Sequence, residues 1–99
     1  MIIVKNMTNE SPIEPWQIRV DRETILGNPF IMEYEEQRDG VIEKYREWFN
    51  NHLLIESPII KEELERISKI YKKHGRLELF CWCAPKKCHA EVIREYLTK

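Results

Sequence analysis

The chain has no long apolar run. No segment approaches the ~20 consecutive apolar residues that a membrane-spanning helix needs. The apolar opening, Ile2-Ile3-Val4, is too short for a signal peptide and has no basic segment ahead of it. Charge of one sign is also lacking: 16 Lys and Arg stand against 17 Asp and Glu, a formal balance of -1. Bulk attraction to nucleic acid or to an anionic membrane therefore has no basis. Internal repeats and low-complexity tracts are absent. Cysteine is scarce and odd in number. All three, Cys81, Cys83 and Cys88, lie within eight residues, whereas a disulfide framework would spread them along the chain. The expectation is a cytoplasmic protein whose thiols are reduced or bound to metal.

What is present suits one domain, residues 1–99. An apolar fraction of 42% can build a modest core, and 33% charged residues solvate its surface. Ile2–Val4 is a β-branched run and a first strand. Lys5–Pro15 is polar, holds two prolines and reads as a loop. Trp16–Val20 alternates apolar and polar, which predicts a strand with Trp16, Ile18 and Val20 inward and Gln17 and Arg19 on the other face. Asp21–Phe30 is a connection punctuated by Gly27-Asn28-Pro29. Gly27 is expected to use its freedom at positive φ, and Pro29 holds Asn28 extended.

Two long helices follow. From about Glu35 to Leu53, Val41, Tyr45, Trp48 and His52 recur at helical spacing, widened by Ile42 and Phe49. Gly40 weakens the beginning, so Asp39 is a favourable N-cap. Ser57-Pro58 opens the second helix. Ile60, Leu64, Ile67 and Tyr71 form its apolar stripe, and Gly75 ends it after Lys72-Lys73-His74. Leu77–Trp82 is then a strand apolar on both faces apart from Glu78. A last helix from Cys88 carries Val92, Ile93, Tyr96 and Leu97. The order β-β-α-α-β-α predicts an α/β fold, a small Rossmann-like domain of two or three layers with a mostly parallel short sheet flanked by helices. The loops after the second and third strands leave the same sheet edge, where such folds bind ligands.

That edge gathers the chemistry. The helix opening at Cys88 offers free backbone N–H groups to an anion, with Lys86 and Lys87 beside them. Cys88 there is expected to have a lowered pKa, and His89 to carry protons, making these two the candidate catalytic pair. Arg22, Gly27, Asn28, Arg38, Cys83 and Lys87 would complete a site for a phosphate-bearing small molecule of nucleotide type, with Arg22 as the phosphate fork. A second reading takes Cys81, Cys83, Cys88 and His89 as a structural zinc set, although paired Cys-x2-Cys knuckles are absent. A third leaves the thiols inert and the surface to bind another protein. Cys81 reads as buried strand, and Trp16, Trp48 and Trp82 as core filling. His52, His74 and the Lys72-Lys73 pair read as structural or solvated.

The two loops together resemble a known pattern. Arg22, Gly27-Asn28-Pro29-Phe30, Arg38, Tyr45-Arg46 and Cys81-Trp82-Cys83-Ala84-Pro85-Lys86-Lys87-Cys88-His89 occur in order as in the family designated domain of unknown function 4326, found in phages and bacteria. Asp21, Glu23 and Ala90 depart from its usual Gly, Pro and Gly. The resemblance implies a compact α/β fold and a site shared by both loops. It also implies a phage-encoded origin, with a host protein as partner under the third reading, and it implies no reaction.

Overall fold

The computed structural model describes residues 1–8, 10–84 and 86–99; Asn9 and Pro85, both in expected loops, lie outside the described residues. Three strands and three helices follow the expected order: β1 (Ile2–Asn6), β2 (Gln17–Arg19), α1 (Arg38–Leu54), α2 (Pro58–His74), β3 (Leu77–Cys81) and α3 (Ala90–Leu97), with a 3-10 turn at Glu35–Gln37 leading into α1. The most apolar strand, β3, is buried along its whole length. It lies between the other two, and both pairings are parallel.

Register explains which face carries the core. Ile2 pairs with Leu77, and Val4 and Ile18 both pair with Leu79. Side chains alternate along a strand, so these residues and Cys81 point the same way. They join Tyr45 and Phe49 of α1, Ile60, Leu64 and Ile67 of α2, and Ala90, Val92 and Ile93 of α3 in one contiguous cluster. The helices therefore cover a single face, which selects the two-layer form of the α/β architecture. The other face carries Lys5, Gln17, Arg19, Glu78 and Phe80. Glu78 is buried there, and a buried carboxylate needs partners. It accepts hydrogen bonds from Gln17 Nε2 and Arg76 Nη2, both at 2.8 Å, and pairs with Lys5 Nζ at 3.2 Å.

The helix punctuation of α2 follows the sequence: Ser57 is the N-cap, Pro58 opens the first turn, and Gly75 closes it at φ 69°. Elsewhere boundaries shift for local reasons. α1 begins at Arg38, one residue before Asp39, because the 3-10 turn feeds directly into it. β3 stops at Cys81 rather than Trp82. The Asn6 side chain donates to the carbonyls of Trp82 (3.0 Å) and Ala84 (2.8 Å), replacing the ladder and turning the chain outward. α3 begins at Ala90 rather than Cys88, with His89 as N-cap. Val92 and Ile93 are buried as read, but Tyr96 lies at the surface.

Candidate functional site

Parallel pairing brings the loop after β2 and the loop after β3 to one edge of the sheet. A cavity of about 310 Å³ lies between them. Arg22, Asn28, Arg38, Cys83, Lys87, Cys88 and His89 all contribute to its wall, as does Cys81 at its base. Gly27 does not, and its role differs from the expected one. Gly75 is the glycine with positive φ; Gly27 is not one. A Cβ on Gly27 would lie 2.3 Å from the Asp21 carbonyl oxygen and 2.6 Å from Arg22 Cα, so the need is for close backbone approach.

The first loop is held by its own residues. Arg22 Nη1 donates to the carbonyls of Asn28 (2.5 Å) and Phe30 (2.7 Å). Part of the expected phosphate fork is thus a clasp; among the described residues Nε and Nη2 have no hydrogen-bond partner. Asn28 Oδ1 accepts the Phe30 N–H at 2.9 Å, the side-chain turn its Gly-Asn-Pro setting favours. Behind the loop, the buried Tyr45 hydroxyl donates to the Leu26 carbonyl at 2.7 Å. Arg38 joins the two sides: it forms a two-pronged pair with Glu35 (2.9 Å each) and donates to the Lys87 carbonyl at 2.7 Å. The Lys87 ammonium is exposed, 3.8 Å from Asp39.

The sulfur arrangement overturns one expectation. The start of α3 is not open to an anion. Its Ala90 N–H points at Cys88 Sγ (3.4 Å), and the Glu91 carboxylate caps the Cys88 N–H at 3.2 Å. Cys88 and Cys81 are buried, with sulfurs 2.9 Å apart, and Cys83 is half-exposed; all three are free thiols. Hydrogen bonds from Cys81 and Cys88, with Arg38 beside it, hold the Cys83 thiol well below its ordinary range. The Cys88 thiol is pushed up by the same two cysteines and by burial, opposite to the lowering expected for a helix-start cysteine.

His89 is buried, and its Nε2 is hydrogen-bonded to the Val20 carbonyl, so Nε2 carries the proton. Nδ1 is then an acceptor 3.7 Å from Cys88 Sγ. Burial lowers the imidazole pKa and keeps the ring neutral. Among the described residues no group of three or more His, Cys, Asp or Glu side chains is arranged to hold a metal ion. With Nε2 engaged on the backbone, the free nitrogen of His89, Nδ1, is the one turned towards Cys88.

Sequence reasoning missed Trp82. It does not fill the core: it is 56% exposed and forms part of the cavity wall. Its indole N–H donates to Asp21 Oδ2 at 2.9 Å. Asp21 is itself buried and gripped by Arg19 through two bonds, at 3.0 and 2.7 Å. The period of two contained the signal, since Trp82 falls in phase with Glu78 and Phe80, the face the helices leave uncovered. Met32, Val41 and Ile42 supply the apolar part of the wall.

A small parallel α/β domain with a cationic, aromatic-edged cleft over a thiol cluster is what the fold and site define. The chain matches the family described as domain of unknown function (DUF4326) over residues 3–99 and belongs to that family. No curated protein and no solved structure matches it. No helix among the described residues is long and apolar enough to cross a membrane.

Proposed function

We propose that the cleft binds a small phosphate-bearing molecule of nucleotide type. The observation that carries this reading is Trp82: a large aromatic at the cleft, oriented by its hydrogen bond to the Arg19-paired Asp21, with more than half of its surface in solvent. An oriented, exposed ring is a stacking platform for a planar base, and every base presents a π-face to it. Cations suited to a phosphate stand in the same wall. Arg19 is neutralised by Asp21 and Glu23, whereas Arg22 and Lys87 retain free donors. The volume of about 310 Å³ sits at the small end of ligand pockets. Three free thiols around one site suit a reducing compartment, the cytoplasm.

The test is calorimetry and thermal shift with nucleoside mono-, di- and triphosphates, their parent nucleosides, and inorganic phosphate. At least one nucleotide should bind more tightly than its nucleoside and than phosphate alone. Trp82→Ala should weaken that binding by about 1–3 kcal/mol, or roughly 5–150-fold, and Trp82→Phe should restore most of it. Lys87→Glu, an exposed change, should abolish the phosphate-dependent part without altering the ligand-free melting temperature. If no nucleotide outperforms inorganic phosphate, the reading fails.

A further inference from the structure

Two buried sulfurs in contact, with a third, half-buried cysteine beside them, form a layout that ligand binding alone does not require. Cys81 ends the central strand, and Cys88 precedes α3. Their Sγ atoms are 2.9 Å apart without a bond between them. A disulfide would bring these two sulfurs from 2.9 Å to about 2.05 Å. Cys81 and Cys88 are only 1% and 2% exposed, so the more accessible Cys83 is the sulfur a small oxidant meets first. Cys83 is half-exposed, with the Arg38 guanidinium beside it. Nδ1 of His89 faces Cys88 Sγ at 3.7 Å while its Nε2–H is tied to Val20, so the ring presents a lone pair to that thiol.

We propose that Cys81 and Cys88 form a reversible dithiol–disulfide pair, entered through Cys83, whose co-substrate is a low-molecular-weight disulfide. The Cys83 thiolate attacks one sulfur of that disulfide, expelling one small thiolate and forming a mixed disulfide. Cys88 gives its proton to His89 Nδ1 and attacks Cys83 Sγ, expelling the second small thiolate. Cys81 then attacks Cys88 Sγ. The Cys83–Cys88 bond breaks, the Cys81–Cys88 bond forms, and Cys83 leaves as thiolate. The protons of Cys81 and Cys88 end on the two small thiolates, one of them by way of His89. The protein gives up two electrons, and the co-substrate is reduced to two thiols.

The experiment equilibrates the whole, folded protein with oxidised and reduced glutathione, quenches with an alkylating agent, and maps the cysteines by peptide mass spectrometry. The expected product links Cys81 to Cys88, leaves Cys83 free, and reverts fully on adding reduced glutathione. Cys83→Ser should reach the same product at least ~10-fold more slowly, because the entry thiol is gone. His89→Gln, which keeps a group able to donate to Val20, should slow closure and shift its pH profile while leaving the final product unchanged. Three thiols that stay free across the redox series would overturn the proposal. So would a mixed disulfide on Cys83 that never transfers, or an unchanged rate in Cys83→Ser. None of these outcomes bears on nucleotide binding, which is measured on the reduced protein.

Discussion

Replacing Gly27 by alanine should damage this protein more than the same change at either of its other glycines. The added Cβ would lie 2.3 Å from the Asp21 carbonyl oxygen, 2.6 Å from Arg22 Cα and 2.9 Å from the Arg22 carbonyl carbon. Ordinary contact begins near 3.4 Å, so the two strands of the loop must part by about 1 Å. All three clashing atoms are backbone, and no side chain can swing aside. The loop is also fixed from both sides, by Tyr45 on the Leu26 carbonyl and by Arg22 on Asn28 and Phe30. Overpacking of a constrained site costs about 1–3 kcal/mol. At about 4–8 °C per kcal/mol for a domain of this size, the melting temperature should fall by at least about 4 °C. Gly40→Ala meets open space on an exposed helix and should stabilise by about 0.5–1 kcal/mol. Gly75→Ala should cost about 1 kcal/mol, because its φ of 69° strains any side chain. Urea unfolding of the three variants side by side is the assay. A Gly27→Ala protein within about 0.5 kcal/mol of wild type would refute the close-approach argument.

Tyr45→Phe should lose about 1–2 kcal/mol in urea melts, because it leaves the Leu26 carbonyl without its buried donor; an unchanged midpoint would show that water replaces the hydroxyl. Stability should decline with acid in two stages, followed by thermal melts at stepped pH. The buried His89 has a folded pKa below its ordinary 6.5, so the unfolded chain takes up its proton first and stability falls as pH drops below that value. His89→Gln should remove this stage. Asp21 also has a folded pKa below its ordinary 3.8: burial pushes it up, but the bonds from Arg19 and Trp82 outweigh burial. Glu78 is lowered in the same direction, by Gln17 first and then Arg76 and Lys5. Both carboxylates stabilise above their unfolded pKa values, and that stabilisation is lost as pH falls through the folded ones, so the second stage lies below about pH 4.

Much of the architecture was legible because local signals agreed with tertiary demands. Ser57-Pro58 and Gly75 bracket α2 through backbone chemistry that needs no neighbour. The apolar run of β3 announced a central strand, and parallel pairing followed from the helical crossover. The site was legible as a place, since two loops leaving one sheet edge must meet. Its roles were less so, because they depend on contacts across the fold. Nothing near Gly27 reveals that the Asp21–Arg22 backbone passes over it. Arg22 reads as a phosphate fork until Asn28 and Phe30 are seen to occupy one of its nitrogens. The Cys88 thiol moves up rather than down because Cys81 and Cys83 crowd it. Trp82 reads as core because aromatic residues usually are, and only the one-sided packing of the helices exposes it.

The strand order has a consequence for how the chain assembles. Among the described residues β1 and β2 do not pair with each other, and each forms its ladder on β3. Until residues 77–81 have been synthesised, the chain can form helices but no sheet, and Ile2 waits for a partner at Leu77. Such long-range closure is slow relative to helix formation. The segment that completes the sheet is also the one that carries the cysteines. Cys81 stands in that ladder opposite Asn6, so the rate at which it becomes protected from alkylation should report formation of the sheet.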